Sequence, residues 1–104
     1  MTSYELLIEP EVHQARKALP GHVRQRVRRA IDMLADQPRP PESQDLDTTG
    51  LDVPPGVEVR RLRLAWWRII YAVHDQEGWV WVLAIHRRPP YDYEDLGELV
   101  RRLA

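Results

Sequence analysis

At 104 residues the chain has room for one modest core and reads as a single domain over 1–104. It has no cysteine, which excludes disulfides, thiolate metal sites and cysteine nucleophiles and fits a reducing cytoplasm. A net charge of −1 argues against bulk affinity for nucleic acid, so any basic surface must come from how the charges are distributed.

In chain order, Tyr4–Ile8 alternates loosely and predicts a short strand. Met1–Glu9 carries acids and no long apolar region, so no targeting signal is expected, and no apolar run approaches the roughly 20 residues of a membrane span. Pro10 suits a first helical turn, with Glu9 and Glu11 near its positive end, and Val12, Ala15 and Leu19 fall at helical spacing. A short helix over 10–18 follows, broken at Leu19-Pro20-Gly21. A second helix is predicted from His22 to about Asp36, with Val23, Val27, Ala30, Ile31 and Leu34 as its apolar stripe. Its arginines read as a solvated face, and His13 and His22 as exposed helix residues. The segment 38–56 holds five prolines and four acids and reads as an extended connector, pinned by Leu46, Leu51 and Val53.

Val57–Tyr93 carries the densest apolar residues and predicts three consecutive strands. Trp67–His74 and Trp79–Ile85 are rich in aromatic and β-branched residues, and Asp75-Gln76-Glu77-Gly78 has the length and chemistry of a hairpin loop. In the strand over 57–64, Val57, Val59, Arg61 and Arg63 share one face, and Glu58, Arg60, Leu62 and Leu64 share the other. Each face is apolar at one end and polar at the other, as in a strand whose end opens onto a functional surface. Ala65-Trp66 forms an unusual turn that exposes a large indole, a candidate contact for a partner or RNA. Trp67, Trp79, Trp81 and His74 read as packing residues. After Pro89-Pro90, the stripe Leu96, Leu99, Val100 and Leu103 predicts a helix within 92–103.

The charges concentrate on this sheet. Residues 57–91 carry six arginines against Glu58, Asp75 and Glu77, while the flanking segments are net negative. Fourteen of the fifteen basic residues are arginine, whose planar fork suits phosphate and carboxylate.

The series Arg61-x-Arg63-x-x-x-x-Arg68-Ile69-Ile70-Tyr71, followed by His86-Arg87 and Tyr91, resembles the RelE/ParE toxins of type II toxin–antitoxin systems. The likeness covers nearly the whole chain in element order. It implies an α+β fold: two N-terminal helices packed on a small, mainly antiparallel sheet of about four strands, with a short C-terminal helix. It also implies a cytoplasmic protein with a cognate antitoxin. RelE-like members act on messenger RNA at the ribosome without a metal or other cofactor. The ribose 2′-OH attacks the adjacent phosphate, giving a 2′,3′-cyclic phosphate and a 5′-OH. ParE-like members instead bind DNA gyrase, and a third reading is an interaction module without catalysis. Carried onto this sequence, Arg68 would hold the scissile phosphate, with Arg61 and Arg63 on the preceding strand. Arg87 would stabilise the leaving group, and Tyr91 or Tyr93 would stack on a base or move a proton. Some members use lysine where this chain has Arg61 and Arg63. Arginine stays protonated and is a poor general base, which leaves the imidazole of His86 as the candidate acid/base.

Overall fold

The computed structural model describes residues 3–103. The elements are β1 (Glu5–Ile8), α1 (Pro10–Lys17), α2 (Gly21–Met33), β2 (Ser43–Asp45), β3 (Val57–Leu64), β4 (Trp67–His74), β5 (Trp79–Arg87) and α3 (Leu96–Val100), which ends in a 3₁₀ turn, Arg101–Leu103. They form an α+β structure around one five-stranded sheet of order β1-β5-β4-β3-β2. The β2/β3, β3/β4 and β4/β5 pairs are antiparallel, and β1 joins β5 in parallel.

The sheet has five strands rather than about four because the connector contributes β2. Ser43, Gln44 and Asp45 pair with Leu62, Arg61 and Arg60 through backbone ladder bonds, which three polar side chains do not advertise in sequence. The second helix stops at Met33, short of Asp36. The C-terminal helix begins at Leu96 rather than Asp92.

Burial explains the layering. In β4, Ile69, Ile70, Tyr71, Ala72 and Val73 are all buried, so this central strand is covered on both faces. On one face Leu62, Ile69, Tyr71, Val73, Val80 and Val82 meet Val12, Val27, Ile31 and Leu34 of the two N-terminal helices. On the other, Val59, Ile70, Ala72, Leu83 and Ala84 meet Leu96, Leu99 and Val100. Leu46, Leu51 and Val53 of the connector and the indoles of Trp79 and Trp81 pack on this second core, while Trp67 packs on the first. The C-terminal apolar stripe is therefore occupied by the sheet; a partner would reach it only by displacing it. No helix among the described residues is long and apolar enough to cross a membrane.

The end of the sheet near the β4–β5 loop is closed by ionic contacts. Arg39 spans Glu58 and both carboxylate oxygens of Asp75, at 2.9–3.1 Å, and the Tyr4 hydroxyl donates to Asp75 at 2.7 Å. The Arg39 and Tyr4 hydrogen bonds hold the Asp75 carboxyl below its ordinary pKa. A carboxyl whose folded pKa is depressed adds stability above its unfolded pKa and loses it as pH falls through the folded value. Acid titration of wild type should therefore show a stability loss below about pH 4. In Asp75→Asn that part of the loss should be absent, as read by Tm against pH. The effect is modest because Asp75 is largely exposed.

Candidate nucleic-acid interface and active site

Pairing of β3, β4 and β5 sets one row of side chains. Arg63 faces Arg68 across the β3/β4 ladder, and Arg68 faces His86 across β4/β5. Directly opposed residues share a face, so the three lie side by side on the face that carries α3. Two arginines in direct opposition cost stability, and neither forms an ion pair with a described residue. Arg39 and Arg60, toward the other end of the sheet, are both paired with Glu58. The arginine row thus breaks a local rule in the manner of a functional site.

A β-bulge in β5 decides what joins this row. Ile70 pairs with Ala84 but Tyr71 pairs with Val82, leaving Leu83 as an extra residue. The insertion reverses the alternation of everything after it. His86 and Arg88 turn onto the arginine face, and Arg87 turns away. Arg87 pairs with Trp67, in the same alternation as Ile85, and so lies on the face of the sheet that α1 and α2 cover. The structure does not bring Arg87 to the row; it brings Arg88, which the sequence pattern passed over. The Arg88 guanidinium sits 5.1 Å from the centre of the Tyr93 ring. Its backbone N–H donates to the Trp66 carbonyl at 2.7 Å. Arg63, Arg68 and Arg88 together with Ala65, Trp66 and Pro89 line a cleft of about 430 Å³.

Arg68 also holds the hairpin that frames this cleft. Its Nη1 donates to the carbonyls of Ala65 and Trp67 at 3.0 and 2.9 Å, while its Nε is buried without a partner among the described residues. Ala65 occupies the two-residue turn with φ 54°, a left-handed conformation that disfavours a residue with a Cβ. Ala65→Gly should relieve that strain and raise stability by about 0.5–1 kcal/mol, net of the larger entropy of the unfolded chain. Chemical denaturation would read this as a higher midpoint with an unchanged slope. Arg61 lies on the same face two residues along β3 from Arg63, opposite Ile70, and donates to the Gln44 side-chain oxygen at 2.6 Å.

His86 borders a smaller cavity of about 170 Å³ shared with Asp95, Glu11 and Arg102. Its Nε2 lies 3.3 Å from Asp95 Oδ2. Its ring stacks on Tyr91, with centres 4.1 Å apart and planes 17° from parallel. The Tyr91 hydroxyl donates to Asp95 Oδ1 at 2.6 Å. Burial, then the Asp95 hydrogen bond, pushes the Tyr91 hydroxyl above its ordinary pKa, so it is a poor source or sink of protons near neutrality. Tyr93 packs edge-on against Tyr91 at 4.7 Å, and its hydroxyl is buried without a partner among the described residues. Asp95 is the second residue the sequence reading missed. It is nine positions from His86 and reaches it only because the 88–95 segment folds back over β5.

The sequence matches no protein-family model and no curated protein. Solved structures do resemble it. The RelE–RelB complex of the archaeon Pyrococcus horikoshii superposes with a TM-score of 0.72 at 26% identity, covering 86% of this chain and all of that one. The chain is thus similar in fold and, more weakly, in sequence to the toxin chains of RelE–RelB structures. Two more distant likenesses share the fold. A double arginine-to-alanine mutant of the Escherichia coli toxin RelE in the free state has a TM-score of 0.62 at 20% identity, covering 99% of this chain and all of that one. The RelBE2 toxin–antitoxin complex of Mycobacterium tuberculosis has a TM-score of 0.64 at 17% identity, covering 84% of this chain and all of that one. Among the residues carried over from the RelE pattern, this fold groups Arg63, Arg68, His86, Tyr91 and Tyr93. Arg61 stands at its margin and Arg87 on the reverse face.

Proposed function

We propose that this chain is the toxin of a type II toxin–antitoxin pair and cuts messenger RNA on the ribosome. The row Arg63–Arg68–His86 is the observation that carries the reading. Attack of the 2′-OH on its neighbouring phosphate builds negative charge on the phosphorane oxygens. It also releases one proton from the attacking hydroxyl and needs one on the leaving 5′-oxygen. Arg68 and Arg63 supply fixed positive charge for the phosphorane. Arg88, rather than Arg87, occupies the third cationic position. His86, oriented by Asp95 and by the face of Tyr91, exchanges the proton. The products are a 2′,3′-cyclic phosphate and a 5′-OH, so atoms balance without a cofactor or a water.

The antitoxin follows from the same reading: the neighbours from Pyrococcus and Mycobacterium are complexes of a toxin with its antitoxin. An arginine row with no acidic partner among the described residues is a surface that an acidic antitoxin segment would cover.

Primer extension on a messenger during translation tests the reading. Cuts that require ribosomes and leave 5′-OH ends support it. Growth arrest without cuts would move the function to DNA gyrase, read by a supercoiling assay. Neither arrest nor cuts would leave an interaction module in which Arg68 serves only to brace the hairpin.

A further inference from the structure

Trp66 has no part in the chemistry of the row, yet the fold presents it with care. It is 64% exposed, one of two large apolar side chains left in solvent among the described residues. It occupies the tip of a two-residue hairpin whose other position, Ala65, is conformationally strained. A tip of this kind ordinarily carries glycine, asparagine or aspartate. The turn is nevertheless rigidly held: Arg68 binds the carbonyls on either side of Trp66, and the Arg88 N–H binds that of Trp66 itself. The result is an indole carried on a braced turn that lines the 430 Å³ cleft, beside three arginines and no carboxylate among the described residues. A cleft of this size lies within the range that takes a small ligand.

A flat aromatic face beside three arginines lining one cleft matches a nucleotide, with its base on the indole and its phosphate on the cations. An acidic antitoxin segment would cover the same cations but has no base to set on the indole, so the indole itself points to RNA. We propose that the hairpin-tip cleft is a nucleotide subsite for single-stranded RNA. In it Trp66 stacks on the base next to the phosphate that Arg63, Arg68 and Arg88 hold, the scissile one. The assignment rests on the RNA-cutting reading and adds a base-stacking contact beside the phosphate site. Every base has a face to stack, so this grip contributes affinity with little sequence preference.

The test uses the full chain and a short single-stranded RNA carrying 2′-O-methyl groups, which blocks the attacking hydroxyl. At low salt, tryptophan fluorescence should be quenched on titration. Trp66→Ala should remove most of the quench and weaken binding by about 5–150-fold. Trp66→Phe should restore much of the affinity. Arg88→Ala should weaken binding and flatten the salt dependence by about 0.7 in log–log slope. Since Trp66 is exposed, an unchanged thermal melt is expected for its variants. The subsite is overturned by wild-type affinity in Trp66→Ala, or by no binding of wild type at millimolar RNA. It is equally overturned if Trp66→Ala keeps RNA affinity and loses only the antitoxin. Its failure is distinct from that of the nuclease reading. Ribosome-dependent cutting with unaltered Trp66→Ala binding rejects the subsite alone. Trp66-dependent RNA binding without cutting rejects the nuclease alone.

Discussion

Arg68→Ala should lower ribosome-dependent cleavage by about 100–1,000-fold or more, the scale on which one group stabilising transition-state charge acts. Because Arg68 also braces the hairpin, the same substitution will cost stability, and magnitudes separate the two effects. Its two bonds to the Ala65 and Trp67 carbonyls are worth about 1.5–3 kcal/mol each at most, being donated by a charged group at a partly exposed site. A domain typically starts with about 5–15 kcal/mol. Even a loss of about 6 kcal/mol, both bonds at full value, from the middle of that range leaves about 4 kcal/mol and nearly every molecule folded, so unfolding cannot account for a hundredfold loss of rate. A thermal melt of Arg68→Ala beside its primer-extension assay makes the comparison. Arg68→Lys sharpens it. Lysine retains a charge and loses the planar fork, so cleavage intermediate between wild type and alanine would mark charge and geometry as both contributing. A cleavage rate for Arg68→Ala within about threefold of wild type, far below the expected range, would remove Arg68 from the phosphate.

The row was legible in sequence for a simple reason, and its third cation was not. Arg63 and Arg68 sit equally far from a two-residue turn. Once Val57–Leu64 and Trp67–His74 are read as a hairpin, their opposition follows from the ladder. The apolar run of β4 is equally direct, since a strand covered on both faces has no polar alternation to obscure it. Arg87 and Arg88 are adjacent arginines, and which of them faces the row depends on whether Leu83 is paired. That bulge is a property of how β5 meets β4, and Leu83-Ala84-Ile85 reads as plain apolar strand. The sequence does carry one trace of it. Trp79 and Trp81 alternate with Val80 and Val82, and the alternation then lapses into three consecutive apolar residues. Asp95 was hidden differently, because its approach to His86 depends on the path of the 88–95 segment. The strand β2 was missed because its pairing is made by the backbone of polar residues, where side-chain pattern has nothing to report.

The His86–Asp95 contact yields the second large effect. His86→Gln should lower cleavage by about 100–10,000-fold, because amide cannot exchange a proton while keeping imidazole's approximate shape. Asp95→Asn should fall between that variant and wild type, since the imidazole remains and only its orientation and the charge facing it are lost. Asp95 also receives the Tyr91 hydroxyl and precedes α3, so its substitution alone would not separate catalysis from local packing. Tyr91→Phe separates them. It removes the same hydrogen bond to Asp95 while preserving the ring stacked on His86. The raised pKa of Tyr91 argues that its hydroxyl moves no proton, so Tyr91→Phe should cut within about threefold of wild type, well short of a lost acid/base. If Tyr91→Phe were instead as damaged as His86→Gln, the phenol would be the proton carrier and the imidazole its support. If all three cut normally, proton transfer would have to come from elsewhere, and the row would be a phosphate clamp served by a group on the ribosome or the messenger itself.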